Sequence, residues 1–256
     1  MRTATSPGIE GGAVLPGDER RPFLDHLEEL RRRLLRCFLW VAVGTGLAWR
    51  LTPGILRELV LPVGQLVFLS PVEPFTVRLQ IAFWGGLVFS FPLWAWEVWG
   101  FLRPALRSIE RWSSLLFLLL SVALFFIGAG FGWRLLLPAA LKILFAFGAG
   151  VMTPMLTVGS YVSFASWLIL GCGLVFQVPL VILFLTRTGL VRPQTLLRQW
   201  RLAIVAILIV AAVLTPTPDV FTQLLLAAPL GILYLLSAGL ALLFGRSRSN
   251  GTSSAD

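Results

Sequence analysis

The chain has 256 residues and a formal net charge of +9, and it is 57% hydrophobic but only 13% charged. Soluble domains are roughly 45–50% apolar and about 25% charged, so this much apolar surface requires a lipid environment. The basic residues lie at the ends of apolar runs, which indicates membrane orientation rather than nucleic-acid binding. The two cysteines, Cys37 and Cys172, lie inside such runs, so we expect no disulfide framework, metal site or cofactor.

Six apolar runs follow a polar tail at residues 1–21. A spanning helix needs about 17–25 apolar residues, and every run except the fifth, with about 13, is long enough. The short fifth run predicts local bilayer thinning or packing against neighbouring helices. The sequence therefore predicts an all-α integral membrane protein, with a six-span domain over residues 22–245 and a C-terminal tail over residues 246–256. The runs are 34–51, 79–99, 115–138, 161–185, 202–214 and 221–244.

The basic residues favour one orientation of this chain. If the N-terminus is cytoplasmic, the cytoplasmic segments carry 16 basic residues and the opposite segments carry 5. This asymmetry predicts that both termini are cytoplasmic, which requires an even number of spans. On the far side we expect a long loop at 52–75, with a short interfacial helix at 55–61. The pattern of residues 139–158 predicts a short apolar helix ended by glycine. This helix and the one at 55–61 would together cap the far side of the bundle.

The segment that precedes the first span has a helical pattern with paired charges. Apolar residues recur every three or four positions across residues 23–34. Glu28 with Arg32, and Glu29 with Arg33, have the i, i+4 spacing of salt bridges on one helix face. Taken alone, this spacing favours a structural interpretation, a salt-bridged amphipathic helix at the cytoplasmic interface, over a binding role, because such pairs are common in helices.

A second polar segment joins the second and third runs on the same predicted side. Glu110 is the only carboxylate in residues 99–111. In the structural interpretation it pairs with Arg107 or Arg111 in a solvated turn. A carboxylate in such a basic loop also suits a bidentate guanidinium supplied by another chain.

Polar residues inside the predicted membrane are few, and the clearest are Glu97, Gln80 and Gln177. Lipid-exposed polar groups are costly, so Gln177 is expected to face protein or a wet cavity. It either bonds within this chain or contacts the helix of a partner. No enzymatic activity is expected, because His26 is the only histidine and no nucleophile, phosphate-binding or metal motif accompanies it.

Five motifs in order along the chain resemble the TatC family. They occupy residues 25–31, 70–75, 101–106, 176–179 and 214–219. Each motif is weak by itself, and the ordered set on six predicted spans is specific. The two on the predicted extracytoplasmic side are 70–75 and 214–219. The motif residues singled out as candidates are Glu29, Arg31, Glu73, Pro74, Phe75, Phe101, Pro104, Gln177 and Asp219.

The resemblance implies a concave, glove-like scaffold of six helices in the cytoplasmic (inner) membrane. It implies binding of twin-arginine signal peptides of folded cargo, with Glu29 and Glu110 receiving the arginines beside Arg31, Phe101 and Pro104. It also implies single-span TatA and TatB-type partners, a homo-oligomer within the complex, and transport driven by the protonmotive force. Because Gln177 stands where the family often has Glu, a proton-carrying role at that position is not expected here.

Two other classes of protein fit the composition. A secondary transporter or channel needs ionisable groups near mid-membrane, whereas Glu97 lies close to the cytoplasmic end of its span. A purely structural membrane scaffold needs no ligand. Binding of a twin-arginine peptide separates the receptor from both alternatives.

Overall fold

The computed structural model describes residues 20–102, 111–148, 155–191, 193–215 and 220–244. In chain order, its helices are α1 (Arg20–Val60), α2 (Glu73–Phe89), α3 (Phe91–Leu102), α4 (Arg111–Phe131), α5 (Leu137–Gly148), α6 (Val158–Val175), α7 (Val178–Arg187), α8 (Pro193–Arg198), α9 (Trp200–Leu214) and α10 (Val220–Phe244). A π-helical turn, Gly132–Leu136, connects α4 to α5. The candidate residues Pro104, Glu110 and Asp219, and both predicted tails apart from the first residues of α1, lie outside the described residues.

Several helices are long and apolar enough to cross a membrane. Four segments meet this condition: Leu27–Val60, Leu115–Phe147, Val158–Arg187 and Val220–Gly239. The pair α2 and α3, bent by 50° at Ser90, makes a fifth, and α9 is a shorter apolar helix. The architecture confirms the predicted all-α integral membrane fold. The count of six spans stays a prediction, with α9 as the short span.

The predicted loop at 52–75 is wrong in its first part, because α1 continues to Val60 with Pro53 inside it. A proline inside a helix leaves the carbonyl four residues earlier without its donor. Here the hydroxyl of Thr52 donates to the carbonyl of Trp49, 2.9 Å away, and replaces the N–H that Pro53 lacks. The expected separate helix at 55–61 is therefore the end of α1.

The apolar helix predicted within 139–158 ends at Gly148 as expected, but it begins earlier than predicted. α5 starts at Leu137 and follows the π turn without a break, so it continues α4 rather than forming a separate cap. Farther along, Val67 pairs with Thr157 in an isolated parallel bridge that ties the α1–α2 connection to the start of α6.

Small residues allow α1 and α2 to cross at close range. A Cβ atom on Gly86 would lie 2.4 Å from the backbone nitrogen of Thr45, and one on Gly44 would lie 2.7 Å from the carbonyl oxygen of Gly86. Neither distance is sterically possible, so the backbones meet only because both positions are glycine. Such contacts between small residues are the usual means of packing helices in lipid, where burial of apolar surface gives no driving force.

The larger buried core joins the end of α1 to α2, the π turn, α5, α6, α9 and α10. Tyr161, among its largest buried side chains, donates from its hydroxyl to the carbonyl of Leu59 at 2.5 Å. A second, smaller cluster centres on Phe91 and Phe125, whose rings stack with centroids 3.7 Å apart. Many large apolar side chains elsewhere are exposed, which suits lipid contact in a membrane-spanning bundle.

Candidate functional site

Four charged side chains meet where the start of α1 lies against α3. We call Glu29, Arg33, Arg36 and Glu97 the arginine–carboxylate cluster. Within α1, Arg33 donates from Nη2 and Nε to Oε1 of Glu29, at 2.6 and 2.9 Å. The predicted i, i+4 pair is therefore present.

Glu97 is the buried member of this cluster. Its side chain is only 8% exposed, and both of its oxygens lie 3.2–3.3 Å from Nη1 of Arg36. Nη1 of Arg33 lies 3.6 Å from Oε2 of Glu97. A buried carboxylate is tolerated only when opposite charges and hydrogen bonds compensate for its lost hydration, and the two guanidinium groups supply both.

Arg33 connects the two carboxylates. Besides its contacts with the side chains of Glu29 and Glu97, it donates from Nη1 to the backbone carbonyl of Glu97 at 3.3 Å. Its guanidinium lies directly over Gly100, where a Cβ atom would overlap it. Sequence reasoning missed this bridge and the role of Gly100. The available signal was Glu97 near the end of the second apolar run, together with surplus arginines at the start of the first run, which the predicted topology places on the same side.

The remaining residues predicted to bind the signal are only partly placed. Arg31 is exposed on α1, and Phe101 is half-buried near the end of α3. Pro104 and Glu110 lie outside the described residues. The structure therefore describes the Glu29 half of the predicted arginine-binding pair.

The intramembrane amides are bonded within the chain. Gln177, between α6 and α7, accepts a hydrogen bond from the Ser121 hydroxyl at 2.7 Å and donates to the Ser121 carbonyl at 3.0 Å. These bonds support the within-chain alternative for Gln177. Gln80 donates to the Ser163 hydroxyl at 3.2 Å, and its own carbonyl oxygen is buried with no partner among the described residues.

At the opposite end of the bundle, Glu73 binds backbone amides. Its Oε1 accepts from the N–H of Gly159 at 2.9 Å, and its Oε2 accepts from the N–H of Leu69 at 2.8 Å. The Gly159 group belongs to the first turn of α6, so Glu73 caps that helix from another segment. These bonds, first from Gly159 and then from Leu69, lower the pKa of Glu73. We call this arrangement the Glu73 cap.

The neighbours of Glu73 in its motif have simpler positions. Pro74 lies in the first turn of α2, where backbone N–H groups have no acceptor within the helix, so the helix loses no hydrogen bond to the proline. Phe75 is exposed, and its ring meets the edge of Trp49 with centroids 6.4 Å apart. Asp219 lies outside the described residues.

The apolar helices define a multi-pass helical membrane protein whose described buried carboxylate, Glu97, is paired at one end of the bundle. The family model described as "Sec-independent protein translocase protein (TatC)" matches residues 25–229. The chain therefore belongs to the TatC family.

Individual relatives agree with this assignment. The TatC protein of Koribacter versatilis (strain Ellin345) is 36% identical, over 86% of this chain and 85% of the relative. A crystal structure described as the twin-arginine translocase receptor TatC is 34% identical, with a TM-score of 0.74, over 85% of this chain and 98% of the other. A second structure of that description, in DDM, is 33% identical, with a TM-score of 0.76, over 87% and 100%.

Proposed function

We propose that this chain is the core receptor subunit of the twin-arginine translocation complex. In this proposal it binds the signal peptides of folded proteins for export and catalyses no reaction itself. Family membership and the description of the solved relatives as translocase receptors support the proposal. Glu29 and Glu110 receive the two arginines of the signal, with Arg31, Phe101 and Pro104 in the same surface.

The observation that carries the proposal is that Glu29 already binds a guanidinium group. Its side chain is 38% exposed, and it holds Arg33 at 2.6 Å. Hydrogen bonds between guanidinium and carboxylate groups are among the strong ones, and their planar geometry favours arginine over lysine. A site that holds one guanidinium in the free protein is suited to hold another when a signal arrives.

The cluster also suggests how the exchange proceeds. An incoming arginine replaces Arg33 at Glu29, and Arg33 keeps its contacts with the side chain and carbonyl of Glu97. No charge is left buried and unpaired, so the exchange at Glu29 costs little. The net affinity then comes from the second arginine at Glu110 and from apolar contacts of the signal.

The test measures binding of a twin-arginine signal peptide to the purified protein in detergent. Glu29→Gln and Glu110→Gln should each weaken binding by about 10- to 150-fold, because a hydrogen bond to a charged group contributes roughly 1.5–3 kcal/mol. Neither variant should export twin-arginine cargo in cells, and both should still be inserted in the membrane.

Glu28→Gln is the matched control, because Glu28 is the adjacent carboxylate on α1 and also pairs with an arginine, Arg32, at 2.9 Å. It should bind the peptide as the unmodified protein does. A peptide with paired lysines should bind weakly to all of these proteins. Normal binding and export by both the Glu29 and Glu110 variants would overturn the proposal.

The partners in this proposal are TatA and TatB-type single-span subunits, further copies of this chain, and membrane lipid, with the protonmotive force driving transport. The partner helices pack against α9 and α10, where a short apolar helix exposes Leu202, Ile209 and Val213. Cysteine pairs scanned along α9 and α10 should form crosslinks to the partner helix. Crosslinks found only on α1 and α4 would reject this docking edge.

The proposed location is the cytoplasmic membrane, with both termini in the cytoplasm. The excess of basic residues on the side that carries the termini supports this orientation. Reporter fusions at residue 256 and within 139–158 should report opposite compartments, and a report of the same compartment would reject six spans.

A further inference from the structure

An apolar cavity of about 710 Å³ opens between α1, α2, α4 and α6, apart from the arginine–carboxylate cluster. This volume lies within the range of roughly 300–1,000 Å³ that is typical of ligand sites. Its walls are almost entirely apolar, with Leu51, Ile55, Trp84 and Phe126 among them. Gly54 and Gly130 also line it, and a Cβ atom on either would meet nothing within 4 Å, so both glycines face open space.

Two opposite charges, Glu58 on α1 and Arg134 in the π turn, also line this cavity. Among the described residues, neither forms a salt bridge with the other or with any third group. The π turn places two consecutive residues, Trp133 and Arg134, in the cavity wall. Single π turns inside helices are frequent at functional sites because they change the register of the side chains that follow.

The position of Glu58 along α1 suits the headgroup level of the leaflet opposite the arginine–carboxylate cluster. From Arg36, beside the buried Glu97, to Glu58 is about 33 Å of helix at about 1.5 Å per residue. That length is close to the roughly 30 Å thickness of the hydrocarbon core. The cavity continues from this level toward mid-membrane. Val88 and Phe89, which also line it, lie at the opposite end of α2 from Glu73.

We propose that the cavity holds an acyl chain of one phospholipid, with an amine-bearing zwitterionic headgroup, from the leaflet at the Glu73 end. The phosphate lies at Arg134 and the ammonium at Glu58, so each charge at the rim meets its opposite. The acyl chain fills the apolar space beside Gly54 and Gly130. A zwitterion fits better than an anionic lipid, because an anionic headgroup would leave Glu58 without a cation.

The test uses phosphatidylethanolamine with a photoreactive diazirine in its acyl chain, added to the full-length protein in nanodiscs. Crosslinked peptides are mapped by mass spectrometry, and phosphatidylglycerol with the same chain is the comparison lipid. Phosphatidylethanolamine should label the cavity walls at least several-fold more than phosphatidylglycerol. Glu58→Gln should reduce labelling by phosphatidylethanolamine to the level of phosphatidylglycerol, and Arg134→Gln should reduce labelling by both.

A steric variant tests occupation of the cavity itself. Gly130→Leu should abolish cavity labelling by either lipid, because the new side chain projects into open space rather than into a neighbour. Gly46→Leu is the control, because Gly46 also faces open space but does not line the cavity. Unchanged labelling in Gly130→Leu, or labels that map only outside the cavity, would overturn the proposal. Equal labelling by both lipids that is insensitive to Glu58→Gln would overturn the zwitterionic headgroup.

Discussion

The two ends of the bundle hold their carboxylates in different ways. In the arginine–carboxylate cluster, Glu29 and Glu97 are held by the long side chains of Arg33 and Arg36. In the Glu73 cap, the carboxylate is held by backbone N–H groups of Leu69 and Gly159. A guanidinium on a flexible side chain can be exchanged for another, whereas a backbone amide cannot leave its helix or loop.

This difference fits the division of labour in the proposed function. The end proposed to receive the signal presents exchangeable contacts, and the opposite end joins three segments by fixed ones, including the bridge between Val67 and Thr157. Three predictions test this contrast.

The largest effect is expected when the buried carboxylate loses both of its cations. The double variant Arg33→Met and Arg36→Met leaves Glu97 uncompensated, and breaking a buried ion pair in this way costs about 3–5 kcal/mol. Equilibrium unfolding in detergent micelles measures the loss. Adding Glu97→Met should restore most of the stability, because an apolar replacement of a buried ion pair is often neutral or stabilising. If the double variant is as stable as the unmodified protein, Glu97 is not held by these arginines.

A smaller and pH-dependent effect is expected at the Glu73 cap. Because the backbone hydrogen bonds lower the native pKa of Glu73, its stabilisation is present above the unfolded-state pKa. It is lost as the pH falls through the lowered native pKa. Thermal unfolding between about pH 6 and about pH 3 should therefore show a steeper loss in the unmodified protein than in Glu73→Gln. Parallel curves for the two proteins would mean that the cap contributes nothing.

The smallest effect is expected at the exposed pair of Glu28 and Arg32, whose side chains are 59% and 68% exposed. Glu28→Gln should change the free energy of unfolding by at most about 0.5 kcal/mol at low salt, because solvent screens such pairs. At about 1 M salt the difference should vanish. A larger change that persists in high salt would show that this pair stabilises α1 as a fixed contact rather than as a weak, screened surface pair.

Local patterns predicted the parts of the fold and site that depend on short spacings. The pair of Glu29 and Arg33 follows from helical periodicity, and the end of α5 at Gly148 follows from its glycine. The pairing of Arg36 with Glu97 joins residues 61 positions apart, so no local pattern contains it.

The length of α1 was unpredictable for a different reason. Pro53 normally indicates a break, and the side chain of Thr52 satisfies the carbonyl that the proline leaves unpaired. The partner of Gln177 was left open because Ser121 is 56 positions away on another helix. The Ser121 contact depends on tertiary packing, whereas the Thr52 contact is a local side-chain bond within α1, and apolar periodicity encodes neither.

The bond from Tyr161 to the carbonyl of Leu59 gives α1 a fixed end. Glu29 lies about 45 Å along the helix from this point, at about 1.5 Å per residue. A rotation of α1 by about 5° about this bond would move Glu29 by about 4 Å, which is more than the length of a hydrogen bond, and the backbone contact between Gly44 and Gly86 opposes such a rotation. The Tyr161 bond and the contact of Gly44 with Gly86 together therefore hold the angle of α1 on which the position of Glu29 depends.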